Sequence, residues 1–354
     1  MSETGTHALW AKSPDALHRR GTASLETPLE SLDGYLTPAD RFFVCNVTGT
    51  QRVDPATYRL ELTGDALGAP RTLTLDEIAS LPRHTVRAYL ECAGNQRALF
   101  GAQQGQYAEQ GEGGEDVPWV LGGVGMAEWR GPRLRDVLAL ADPGDGLAWV
   151  APLGLDFDNP ECPIEIPMPA GKALHDDTIL ALTMNGAPLP ADHDFPARAI
   201  VPGWIGTYSV KWVGRITASA HEIRNYRTDE YYVVDGRTVT RQNVKSSLAL
   251  PWPATMGPGA KRIHGYARSP DRPIRTVEWS DDGGRRWREP DIISPNERYG
   301  WVRFAFAWTA REGEHRLMTR ATDGAGETQP EICPFNPGTL LFNAILAHPV
   351  TVRP

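Results

Sequence analysis

The chain has 354 residues, of which 41% are hydrophobic, 23% charged and 8% aromatic. That length is enough for about two domains at roughly 150 residues each, and the composition excludes both a disordered chain and a disulfide-stapled miniprotein. Lys and Arg number 36 against 44 Asp and Glu, a net charge of -8, so no global attraction to phosphate backbones exists and a nucleic-acid partner is not expected.

The 35 Gly and 30 Pro imply many tight turns, hence a β-rich and loop-rich chain rather than a helical bundle. Residues 1–34 are polar and Pro-punctuated with no sustained period, and are expected to form an N-terminal arm over a domain surface. From Tyr58 the alternation Tyr-Arg-Leu-Glu-Leu predicts a half-buried strand; Thr72-Leu73-Thr74-Leu75 follows, and residues 76–81 read as a short helix stopped by Pro82. A strand over 86–90 runs straight into Glu91-Cys92-Ala93-Gly94-Asn95. Residues 101–114 carry Gln, Gly and Glu in place of a hydrophobic period and predict a long surface loop. An amphipathic helix over 134–140, a strand over 149–153 and a hairpin at Asn185-Gly186 come next, since that dipeptide accepts the positive φ angles of a type I′ turn. The Ser, Pro and Gly of 238–260 predict an inter-domain connection. Beyond it the pattern is purely β: 274–279 and 285–288 flank the turn Asp281-Asp282-Gly283-Gly284, and 301–306 and 315–321 alternate likewise, as in an immunoglobulin-type sandwich.

Cys45, Cys92, Cys162 and Cys333 form no Cys-x-x-Cys pair, so local spacing builds no zinc ribbon, iron–sulfur cluster or c-type haem site. Isolated thiols fit a reducing compartment, and no apolar run is long enough to span a membrane, so a cytoplasmic location without membrane contact is expected. Two constellations could carry chemistry. Cys92 is delivered by a strand into small residues, as suits a metal ligand, although a lone cysteine is more often a small buried hydrophobe. His193, Arg198, Ser209 and Lys211, spread through a Gly-rich stretch, supply what a phosphate-bearing cofactor needs, or else an ordinary basic loop. Neither a P-loop nor a Rossmann fingerprint is present.

Taken in order, Phe42-Phe43-Val44-Cys45-Asn46, Glu91 to Arg97, Gly125 to Gly131, Met184 to Pro190, His193 to Arg198 and Val201 to Trp212 resemble the serial motifs of the sulfite oxidase family of molybdenum enzymes. The resemblance implies an α+β, β-rich fold: a molybdopterin-binding oxidoreductase domain over 35–245, then an immunoglobulin-like dimerisation domain over 246–354, giving a homodimer. It implies molybdenum held by Cys92 and the dithiolene of molybdopterin; with no Cys-x-x-Cys-His and no spare length for a b-type haem module, no haem is expected. His193, Arg198, Ser209 and Lys211, with Asn46, match cofactor-holding positions. Arg97 matches a cation of the substrate pocket, its alternative role being a salt bridge that fixes the Cys92 loop. In two places the chain departs from the family pattern. Cys45 and Val47 stand where sulfite-oxidising members have Arg and His, and Cys162 aligns with their active-site Tyr; both cysteines are thus candidate pocket residues. Implied is oxo transfer on a small oxyanion or oxide substrate, sulfite oxidation first, with electrons leaving to an external carrier. The alternatives are a reductase of S-oxides or N-oxides, and a cofactor-binding or interaction protein with little turnover.

Overall fold

The computed structural model describes residues 10–20, 23–46, 49–107, 117–156 and 164–354. Two sheets build the region that carries Cys92. One has five strands in the order Arg71–Thr74, Arg59–Thr63, Val213–Ser219, Trp149–Gly154, Met168–Pro169, with Val213–Ser219 parallel to Arg59–Thr63 and antiparallel to Trp149–Gly154. Leu60, Leu62, Val150 and Ile216 point from it into the largest apolar core, which Val137 and Leu138 of the helix Leu134–Ala139 help to close. The helix Leu75–Ser80 starts one residue before its expected position because Thr74 and Glu77 form a reciprocal capping box.

The second sheet pairs Arg83–Glu91 with Val124–Pro132 along their whole length. Arg83–Glu91 alternates exposed and covered residues at first, but its last four are all buried, so this strand leaves the surface and delivers Cys92 inside the molecule. The expected turn at Asn185-Gly186 is present, with φ of 51° and 83°, between Thr183–Met184 and Ala187–Pro188.

The C-terminal region is a β-sandwich of two four-stranded sheets. One runs Lys245–Leu248, Gly259–Arg268, Trp301–Ala310, Asp291–Ile292; the other runs Ala254–Met256, Leu346–Val352, Gly313–Asp323, Ile274–Ser280. Ile263, Phe304, Phe306, Leu317 and Val350 fill the space between them. The sandwich does not stand apart, since Tyr266 and Trp301 share an apolar cluster with Leu29 and Leu32 of the N-terminal segment and with Tyr89 and Phe100.

Four expectations are corrected. Residues 101–104 are not loop but the end of the helix Ala98–Gln104: Leu99 and Phe100 are buried, Gln103 and Gln104 bond the backbone of Ile345 and Cys333, and Gly105 ends the helix left-handed at φ 67°. The rest of that expected loop falls partly outside the described residues. The stretch 238–260 is no bare connection, because it holds the sandwich strands Lys245–Leu248 and Ala254–Met256. Its serines fit a core because they are bonded: Ser246 Oγ meets Gln329 Oε1 at 2.6 Å. Residues 285–288 form no strand; Arg288 makes a single bridge to Trp279, and Ile274–Ser280 pairs instead with Gly313–Asp323. The N-terminal segment holds two strands, His18–Arg20 and Ser24–Glu26, the second pairing with Val44–Cys45. There the buried Glu26 carboxylate accepts from the amides of Leu121 and Gly122 at 2.6 and 2.5 Å.

Candidate functional site

Cys92 opens into a cavity of about 110 Å³ whose walls come from distant parts of the chain. Cys45, Cys92, Arg198, Ser209 and Lys211 all line it, joined by Phe43, Asp156, Ile164, Thr207, Val210, Arg227 and Tyr232. Five residues singled out in the sequence thus meet at one place. Asn46 reaches the same corner through its carbonyl, which accepts from Lys211 Nζ at 2.5 Å. Cys162 lies outside the described residues.

The loop after the strand is tied at each step. Cys92 N–H donates to Gly123 O at 2.9 Å, Asn95 N–H donates to Cys92 O at 2.9 Å, and Leu341 N–H donates to Ala93 O at 2.8 Å. Gln96 is left-handed at φ 72°, a conformation that costs a non-glycine residue free energy and that the surrounding bonds impose. Arg97 folds its guanidinium back over Gly94, where a Cβ would overlap it. It does not line the cavity, although its charge acts on both Cys45 and Cys92.

The two thiols line the same cavity and act on each other's ionisation. That interaction pulls Cys45 down to about 6 against the effect of burial, helped by the Lys211 charge, while the same interaction and burial push Cys92 up. Asp194, fully buried and left-handed at φ 82°, pairs with Arg198 Nη1 at 2.8 Å and stands 3.7 Å from Lys211 Nζ. Burial nevertheless raises its carboxyl, the two cations only partly opposing this. Arg198 Nε is buried with no hydrogen-bond partner among the described residues. Ser209 Oγ accepts from Val201 N–H at 3.1 Å, which leaves its own hydrogen to donate. An unanswered guanidinium N–H, a free hydroxyl hydrogen and a lysine around one cavity are a donor set for an anion, so a cofactor carrying phosphate fits these residues.

His193 sits differently from expectation. It is buried behind the cavity wall, its Nε2 lying 2.8 Å from Lys12 Nζ and 2.9 Å from Ala39 O, and burial with the nearby Lys12 and Arg198 charges pushes its pKa well down. Lys12, brought in by the N-terminal segment, was not foreseen; burial lowers it to about 7. Tyr232 and Asp156 were also missed. Burial raises the Tyr232 phenol far above its ordinary value, and raises Asp156 to about 6. Their only sequence signal is generic, a tyrosine and an aspartate in loops. Among the described residues no three His, Cys, Asp or Glu side chains gather as a metal-ligand set.

Residues 47–227 match the family model described as oxidoreductase molybdopterin binding domain. The chain is 33% identical to sulfite oxidase of Gallus gallus over 86% of its own length and 71% of that protein's. It is 33% identical to mitochondrial sulfite oxidase of Mus musculus, of which it spans 59%. Among solved structures, the sulfane dehydrogenase SoxCD of Paracoccus pantotrophus is similar with a TM-score of 0.80 and 25% identity, over 97% of this chain and 90% of that one. Fold and matched domain together define a molybdopterin-binding oxidoreductase with a C-terminal β-sandwich. The chain belongs to the sulfite oxidase family of molybdenum enzymes.

Proposed function

We propose that the chain oxidises sulfite to sulfate at a molybdenum cofactor held by Cys92, with water as the oxygen source and the electrons passed to an external acceptor. The observation that carries this reading is the meeting of Cys92, Cys45, Arg198, Ser209 and Lys211 at one buried cavity. The family membership and the sulfite oxidases among the relatives support it.

In this reading the Cys92 thiolate holds the metal, a soft sulfur donor suiting such a centre. Arg198, Ser209 and Lys211 hold the phosphate of the pterin, with Asn46 fixing Lys211 and Asp194 fixing Arg198. When bound, the cofactor supplies two-electron oxo transfer, and the protein supplies orientation, charge and protons. Arg97 lends positive charge from behind the Cys92 loop. Tyr232 keeps its proton at neutral pH and so serves as a hydrogen-bond donor in the cavity, whereas Asp156, titrating near 6, can take up a proton released when water is consumed. The overall reaction, sulfite and water giving sulfate, two protons and two electrons, balances with an acceptor that takes the electrons. A cytoplasmic location, supported by the free thiols Cys45, Cys92 and Cys333, and a homodimer through the sandwich complete the proposal.

One observation favours a second reading. Cys45 replaces a cation of the family pattern, and Phe43, Ile164 and Val210 add apolar walls, so the cavity also suits a less charged sulfur compound, an S-oxide or a sulfane. Sulfite-dependent ferricyanide reduction, with molybdenum content measured on the same protein from a molybdopterin-competent host, separates the two. Sulfite turnover that disappears in Cys92→Ser is expected. Metal-loaded protein inert to sulfite but active on a sulfane or S-oxide moves the assignment to the second reading, and Cys92→Ser retaining full turnover overturns the site.

A further inference from the structure

Behind Cys92, on the side away from the cavity, lies a second group of charges. Glu91, Lys245 and Arg268 are each 0% exposed. Arg268 grips the Glu91 carboxylate with both arms of its fork, Nε to Oε2 at 2.7 Å and Nη2 to Oε1 at 2.6 Å, and Lys245 Nζ adds a bond to Oε1 at 2.9 Å. Asn95 Nδ2 donates to the same oxygen at 2.9 Å, and Gln242 Nε2 donates to the Glu91 backbone carbonyl at 2.6 Å. The carboxylate belongs to the strand that ends at Cys92, whereas both cations belong to the sandwich.

We propose that Glu91, Lys245 and Arg268 form a positioning device through which the sandwich sets the Cys92 thiol. This deepens the assignment of Cys92 as metal ligand and rests on it. Successive side chains of a strand point to opposite faces, so fixing Glu91 toward the sandwich turns Cys92 toward the cavity. The clamp closes on both sides of the cysteine, because Asn95, three residues beyond it, shares the carboxylate and also accepts from Gly123 N–H at 3.0 Å. Lys245 and Arg268 are direct partners in the register of their two strands. Two like charges facing each other in a buried ladder are unfavourable without an anion between them, so the sandwich needs Glu91 as much as Glu91 needs the sandwich. Apolar residues of similar volume hold two regions together as well as a buried ion cluster does. What the fork adds is direction, since a bidentate guanidinium fixes the plane of the carboxylate and with it the end of the strand.

The test reads the thiol directly in full-length, cofactor-free protein, by peptide-resolved alkylation of Cys92 with iodoacetamide, with buried Cys333 as the internal reference for general opening. In Arg268→Met, Cys92 should react about tenfold faster while Cys333 keeps its wild-type rate. Arg268→Lys, which retains the charge and loses the fork, should lie between and serves if the Met variant does not fold. In the cofactor-loaded form, Arg268→Lys should change the molybdenum(V) electron paramagnetic resonance spectrum and lower kcat with little change in KM for sulfite. Cys92 reacting no faster than in wild type, or Cys92 and Cys333 accelerating together, overturns the proposal. Failure of the underlying assignment shows separately, as full sulfite turnover in Cys92→Ser.

Discussion

Cys92 stands between two buried clusters of the same make-up, each with one arginine, one lysine and one carboxylate: Arg198, Lys211 and Asp194 on the cavity side, Arg268, Lys245 and Glu91 on the sandwich side. They differ in how far their hydrogen bonds are satisfied. Glu91 accepts side-chain donors on both oxygens at 2.6 to 2.9 Å, and the two sandwich cations hold its pKa at about 2 in spite of burial. Asp194 has one close ion pair and its carboxyl is pushed up rather than down, whereas each cluster's arginine keeps one buried nitrogen without a partner among the described residues, Arg198 Nε and Arg268 Nη1. A cluster whose carboxylate is bonded on both oxygens serves as structure. An unsatisfied one stores binding capacity, and desolvated donors around a cavity are strong ones when an anion arrives.

The largest effect should come from breaking the satisfied side. Glu91→Gln strands two facing cations in the interior, and urea unfolding should show a loss of about 3–5 kcal/mol. Acid does the same reversibly. With Glu91 at about 2 in the fold against an ordinary 4.5, its contribution is fully present above pH 4.5 and is lost as pH falls toward 2, roughly 3 kcal/mol in all. A unfolding free energy of wild type measured over that range should fall more steeply than that of Glu91→Gln; parallel curves would remove Glu91 from the account.

Next in size is the unsatisfied side. Lys211→Met leaves the Arg198–Asp194 pair intact, so thermal stability of the cofactor-free protein should change by no more than about 1 kcal/mol, while molybdenum content falls about tenfold for want of a phosphate partner. Lys245→Met, the matching change across the cysteine, removes the surplus cation and keeps the Glu91–Arg268 fork, so its unfolding free energy should stay within about 1 kcal/mol of wild type. If both substitutions cost metal equally, the distinction between the clusters fails. The smallest expected effect is Cys45→Arg. Restoring a cation beside the cavity should lower KM for sulfite by a few-fold, about 1 kcal/mol, with kcat little changed. A raised KM in metal-replete protein would favour the less charged substrate.

How these clusters appeared in the sequence explains what could be read there. The strand before Cys92, the Asn185-Gly186 turn and the sandwich strands Ile274–Ser280, Trp301–Ala310 and Gly313–Asp323 were legible because each follows from local period or turn chemistry. The cavity side was legible as far as its residues belong to motifs: Cys92, Arg198, Ser209 and Lys211 arrive where the motif order puts them together. The sandwich side was not. Lys245 falls in a Ser- and Pro-rich stretch that looks like a linker, and only tertiary bonding of Ser246 and the burial of Lys245 against Glu91 turn it into core. Lys12 was hidden for the same reason, since an arm without period gives no hint that its backbone amides will dock on Asp192 at 2.6 and 2.8 Å. The helix Ala98–Gln104 is held by contacts to residues more than two hundred positions away, which no local pattern records.

The central claim is that Cys92 holds the metal while its partner thiol Cys45 does not. Molybdenum K-edge X-ray absorption on wild type, Cys92→Ser and Cys45→Ser tests it most directly. One sulfur neighbour fewer in Cys92→Ser, and the wild-type count in Cys45→Ser, is the predicted result; an unchanged sulfur shell in Cys92→Ser, or a loss confined to Cys45→Ser, would contradict it.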